Sequence, residues 1–132
     1  MKNIFLSIFV AATLVACTSM SSSKVGSSQV NIANTKWSLA ENVKGNKPTL
    51  VLEAEKLTGN AGCNNYFGEL ALDATAGNFK TNNVGSTRKM CDNMEVESQF
   101  FNMLKEVDKY VVNAGVLELY KGNLLLMKFN KL

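Results

Sequence analysis

The sequence predicts a mainly β, α+β fold: a small antiparallel barrel-like or strongly curved sheet with one helix at about 93–108. Three observations point there. Short apolar runs separated by Gly and Asn recur along residues 35–90, one segment alone carries helical periodicity, and the C-terminal residues read as a hairpin. At 132 residues, 46% of them apolar, the chain suits one domain with a modest core.

The elements follow in order. Trp37 and Leu39 alternate with Lys36 and Ser38, the period of a half-buried strand, and Thr49-Leu50-Val51-Leu52 is a short apolar run after a Gly45-Asn46-Lys47-Pro48 turn. Lys56-Leu57-Thr58-Gly59 and Asn65-Tyr66-Phe67-Gly68-Glu69-Leu70-Ala71-Leu72 come next, with Gly and Asn where bends are needed. Asn78-Phe79-Lys80 and Asn83-Val84-Gly85 read as two further short strands. In the helix, Asp92 or Asn93 is the expected cap, Glu95 and Glu97 suit its positive end, and Phe100, Leu104 and Val107 make the buried stripe. Tyr110-Val111-Val112 is the strand before the final hairpin. That hairpin pairs Val116-Leu117-Glu118-Leu119-Tyr120 with Leu124-Leu125-Leu126-Met127-Lys128-Phe129 around Lys121-Gly122-Asn123.

Composition narrows the chemistry. Histidine is absent, which excludes Ser-His-Asp and Cys-His mechanisms. The formal charge of +3 is too small to argue for nucleic acid. No cofactor is expected.

The first residues read as an export address. Lys2 supplies a positive start, and residues 4–16 are almost all apolar or small, a stretch shorter than the roughly 20 residues that span a bilayer. The segment ends in Leu14-Val15-Ala16-Cys17, which resembles the bacterial lipobox. That resemblance implies a signal peptide over 1–16, cleavage before Cys17 and lipid on its thiol. Two or more acyl chains hold a protein stably on a membrane where one does not. Residues 17–34 are Ser-rich and lack apolar periodicity, so they read as a lipidated tether, with the domain proper over 35–132. The location expected is the bacterial cell envelope, lipid-anchored at the outer membrane and facing the periplasm, with the protein a monomer.

Once Cys17 is taken by lipid, Cys63 and Cys91 remain as an even pair in an oxidising compartment, the setting of a disulfide. Redox catalysis competes, since Cys91 lies just before the helix, where a thiol pKa can fall. It usually employs Cys-x-x-Cys, and these two are far apart in sequence. Two thiolates without histidine make a poor zinc site, because structural zinc takes four ligands.

Several blocks together carry a family resemblance: Thr35-Lys36-Trp37-Ser38-Leu39, Pro48-Thr49-Leu50, Gly59-Asn60-Ala61-Gly62-Cys63-Asn64-Asn65-Tyr66-Phe67-Gly68, Ser86-Thr87-Arg88-Lys89-Met90-Cys91, and Glu97 with Phe100 before Leu104. They resemble the META domain, or HslJ-like heat-shock family, from about Thr35 to Phe129. The resemblance implies a small barrel-like domain with one helix, often exported as a lipoprotein, tied to stress response or envelope physiology, and without an established catalytic activity. It also implies a fold like that of secretion-system pilot lipoproteins.

Within these blocks, Asn64, Asn65, Tyr66, Thr87 and Arg88 are the candidate ligand or partner surface, a polar mouth; the competing reading makes them turn and packing residues. Arg88 is placed to staple the second cysteine loop to the helix by meeting Glu97 or a buried carbonyl. Three functions compete. The first is a non-enzymatic envelope module that acts through an envelope protein partner. The others are a barrel that carries a hydrophobic small molecule or acyl chain, and thiol-disulfide exchange by Cys63 and Cys91.

Overall fold

The structure, a computed structural model, describes residues 24–132. The signal peptide over 1–16 and the lipidation site Cys17 lie outside the described residues. In order, the chain forms β1 (Thr35–Leu39), β2 (Thr49–Leu52), β3 (Lys56–Asn60), β4 (Asn65–Asp73), β5 (Asn78–Ser86), α1 (Met94–Leu104), β6 (Lys109–Asn113), β7 (Val116–Lys121) and β8 (Leu124–Lys131). The strands close into one antiparallel barrel in sequence order, β1 pairing with both β2 and β8.

Alternation explains the core. Trp37 and Leu39 of β1, Leu50 and Leu52 of β2, and Leu57 of β3 point inward. So do Tyr66 and Leu70 of β4, Phe79 of β5, Tyr110 of β6, Leu117 and Leu119 of β7, and Met127 and Phe129 of β8. They form one hydrophobic cluster with Phe100, Leu104 and Val107, so the interior of this small barrel is filled by side chains.

Four sequence expectations change in detail. The two short strands around Phe79 and Val84 are one nine-residue strand, β5, interrupted by a bulge. Phe67 pairs with Gly85 but Glu69 pairs with Asn82, so β5 carries one extra residue, and Asn83 takes a φ of 49°. Secondly, the helix stops at Leu104 and not at 108, because Glu106 and Val107 donate to the carbonyls of Met103 and Leu104 and tighten the last turn. Val107 stays buried beyond the helix end, which is why the periodicity overruns it. Thirdly, Asn93 sits at the N-cap without capping: its amide donates to the carbonyls of Lys44 and Gly62.

The fourth change concerns the tether. From Gln29 onward the chain packs on the barrel. The Gln29 backbone N–H donates to the Ala74 carbonyl at 2.7 Å, its side-chain oxygen accepts from Val112, and the Tyr110 hydroxyl donates to Val30. Ile32 is buried in the core cluster. One apolar side chain among polar neighbours shows no periodicity, so this docking has no pattern to read.

Truncating a filled core leaves a cavity. Leu57→Ala, at a fully buried position, is expected to lower unfolding stability by about 2–5 kcal/mol. Leu124→Ala, at an exposed hairpin position, is expected to change it by under about 0.5 kcal/mol. Urea unfolding of the two variants checks this.

Candidate functional site

The polar signature residues meet where the β3–β4 connection, the segment after β5 and the start of α1 converge. Residues 61–64 make a tight reversal. The Asn60 side chain accepts from the Gly62 N–H at 2.8 Å and donates to Asn65 at 2.9 Å, while the Ala61 N–H donates to the Asn64 carbonyl at 2.9 Å. Gly62 has a φ of 106°, a conformation that favours glycine. Cys63 is held in this reversal and forms a disulfide with Cys91, with a Cα–Cα distance of 6.0 Å.

Asn64 is the hub. Its side-chain N–H groups donate to Glu97 Oε1 at 3.0 Å and to the Lys89 carbonyl at 2.9 Å. Its side-chain oxygen accepts from Thr87 Oγ1 at 2.9 Å and from the Lys89 N–H at 2.7 Å. Its backbone N–H donates to Glu97 Oε2 at 2.7 Å, so both oxygens of that buried carboxylate serve one residue. Among the described residues no buried side-chain nitrogen or oxygen lacks a hydrogen-bond partner.

Tyr66 lies beside this hub. Its hydroxyl donates to the Thr49 carbonyl at 2.6 Å, and its ring meets Phe100 at 5.3 Å and Phe101 at 5.6 Å between centroids. Burial pushes the Tyr66 phenol well above the usual tyrosine range, since charge there would be desolvated. Gly59 makes the approach possible: a Cβ there would lie 2.1 Å from the Thr49 carbonyl oxygen and 2.8 Å from the Tyr66 hydroxyl.

The candidate surface therefore divides. Asn64 and Tyr66 are buried, and Thr87 spends its hydroxyl on Asn64, so these three hold the fold together. Asn65 and Arg88 are exposed. The expected Arg88 staple is replaced, because Asn64 occupies Glu97, and the second cysteine loop is fixed through Lys89 and the disulfide instead. Sequence reasoning gave Glu97 a place at the helix end and missed its inward bond. The signal was present: residue 97 lies on the stripe of Phe100 and Leu104. No group of three or more Cys, Asp or Glu side chains placed to hold a metal ion occurs among the described residues.

A family model described as META domain matches residues 30–131. The chain belongs to the META domain family. Two solved structures share the fold. One is an NMR structure of a protein from Burkholderia xenovorans, with a TM-score of 0.64 and 23% identity, covering 76% of this chain and 83% of that one. The other is a second NMR structure of a protein, with a TM-score of 0.58 and 21% identity, covering 74% of this chain and 88% of that one. No curated protein matches the chain. In this META domain the match starts at residue 30, in the segment that docks through Val30 and Ile32.

Two outcomes follow from the geometry of the META site. Reduction of the Cys63–Cys91 bond, or Cys63→Ala with Cys91→Ala, is expected to cost about 2–4 kcal/mol in denaturant unfolding. The Tyr66 phenol, raised by burial, favours the folded state fully below the unfolded value near pH 10. That contribution is lost as pH rises above about 10, because the unfolded chain then releases the proton first. Thermal unfolding from pH 8 to 11 is expected to fall less steeply for Tyr66→Phe than for the parent protein.

Proposed function

We propose that this META domain is a non-catalytic module of the bacterial cell envelope, held to a membrane by lipid on Cys17 and acting through contact with another envelope protein in stress response or envelope maintenance. One observation carries the reading: the polar side chains Asn64, Glu97 and Thr87 of the signature blocks are bonded to one another and to the backbone, which leaves them as scaffold. Work on a partner then falls to the outer wall, where Phe67 and Val84 are exposed side by side.

The alternatives lose support for physical reasons. A carrier needs room inside the barrel, and that space is filled by Trp37, Phe79, Tyr110, Leu117 and Phe129 among others. Thiol-disulfide exchange needs an accessible sulfur to attack, and Cys63 is buried.

The docked segment also shortens the leash. From Cys17 to Lys24 is seven residues (24 − 17 = 7), which reach at most about 25 Å when extended. The domain would ride close to the lipid, with the turn around Ala74, to which Gln29 bonds, on the membrane side.

Intact mass measurement on the chain purified from bacterial membranes tests the anchor. The expected result is an N-terminus at Cys17 with added acyl mass, and Cys17→Ala is expected to abolish acylation and release the protein from the membrane fraction. An unlipidated parent chain overturns the reading.

A further inference from the structure

The barrel wall is thin at one place. β5 and β6 share a single register pair, Asn78 with Lys109, supported by the Phe79 N–H donating to Asp108 at 3.0 Å and the Tyr110 N–H donating to Gly77 at 2.8 Å. On its other side β5 pairs with β4 as far as Ser86. Among the described residues, no strand meets the outer edge of β5 from Lys80 to Ser86. The last turn of α1 stands there instead, across a groove lined by Val84, Gly85, Ser86, Phe101, Leu104 and Lys105. Because the Phe79 N–H faces β6 and alternate residues of a strand direct their amides to the same side, the Thr81 N–H and C=O face this open edge.

We propose that this edge takes an extended, acidic and partly apolar segment of a partner protein as an added strand. The form of the ligand follows from the edge itself: a row of free backbone donors and acceptors is met best by another strand. Its charge follows from the border. Lys80, Arg88, Lys89 and Lys105 are exposed around the edge, and the ion pairs found among the described residues, Lys121 with Glu106 and Lys128 with Glu118, involve none of them. The nearby acids are already engaged: Asp73 accepts from Thr75 and Asn78, Asp108 accepts from the Gly122 N–H, and Glu106 is paired with Lys121. Its apolar character follows from Phe67 and Val84, 60% and 38% exposed, with the Phe67 ring lying over Gly85 next to the groove. Lys80 and the bulge at Asn83 guard the edge against indiscriminate pairing, and an acidic strand turns that repulsion into attraction. The proposal rests on the protein-interaction reading and names the partner's chemistry.

Deuterium exchange of the full chain tests it, read on residues 80–88 with a capped peptide alternating valine and glutamate and with its valine-lysine counterpart. The glutamate peptide is expected to slow exchange there by about tenfold or more at saturation, and the lysine peptide is expected to leave it unchanged. Combined Lys80→Glu, Arg88→Glu and Lys105→Glu substitutions, all at exposed positions, are expected to remove the effect of the glutamate peptide. Unchanged exchange with the glutamate peptide, equal slowing by both peptides, or concentration-dependent protection without peptide, which marks pairing with a second copy, would overturn the proposal. Photo-crosslinking residues placed at Ser86 and at Leu124 in the membrane-held chain separate the two levels of inference. Capture from Leu124 alone sinks the β5 proposal and spares the protein-interaction reading, whereas capture from neither position sinks both.

Discussion

The bond between Asn64 and Glu97 is the constraint on which the upper end of this domain depends. A carboxylate buried in a small barrel is costly unless its charge is met by hydrogen bonds, and here both oxygens accept from Asn64, one from its side chain and one from its backbone. Asn64 in turn grips the backbone of Lys89 on both its donor and its acceptor side. The β3–β4 reversal, the segment after β5 and the helix are thereby tied at one point, and the disulfide fastens the same two segments one residue away from the hub. A fully satisfied network of this kind specifies one arrangement, since any shift of one member strands a buried polar group on another.

That fastening explains how a helix comes to stand beside a barrel edge. With its first turn fixed through Glu97 and its stripe sunk in the core at Phe100 and Leu104, α1 runs along β5 in the place where β6 would otherwise extend its pairing. β6 reaches β5 only at Asn78, below the helix end. The apolar stripe of the helix closes the interior at that position and leaves the backbone edge outside it unpaired. The wall is thus sealed by side chains there and by hydrogen bonds elsewhere.

Much of the fold was legible in the sequence because alternation is a local signal. Trp37 with Leu39, Leu50 with Leu52, and Met127 with Phe129 each announce an inward face within a few residues, and the single helix and final hairpin follow from equally short patterns. What was not legible depends on partners distant in the chain. The bulge at Asn83 joins two apparent strands into one only because β4 runs unbroken beside it, and Ile32 is a core residue only because β6 offers it a neighbour in Tyr110. In the polar cluster, the cysteine pairing followed from counting, whereas Glu97 looked like a helix-end charge until the stripe it shares with Phe100 is set against Asn64. Arg88 was assigned the contact that Asn64 makes, since sequence shows complementary charges but not which side chain arrives first.

The seam between β1 and β8 has a consequence for how the molecule is made. It pairs Trp37 with Lys131, 94 residues apart (131 − 37 = 94), so the two margins of the wall come from opposite ends of the domain. During synthesis, or during passage through a narrow channel N-terminus first, β1 has β2 for company but nothing to cover its other side until β8 emerges. Loop closure over that distance must precede the reward of the contact. The barrel is therefore a late product of its own chain: a partly threaded molecule lacks its closing strand and stays pliable, and the last residues to clear the channel convert a string of hairpins into a closed wall.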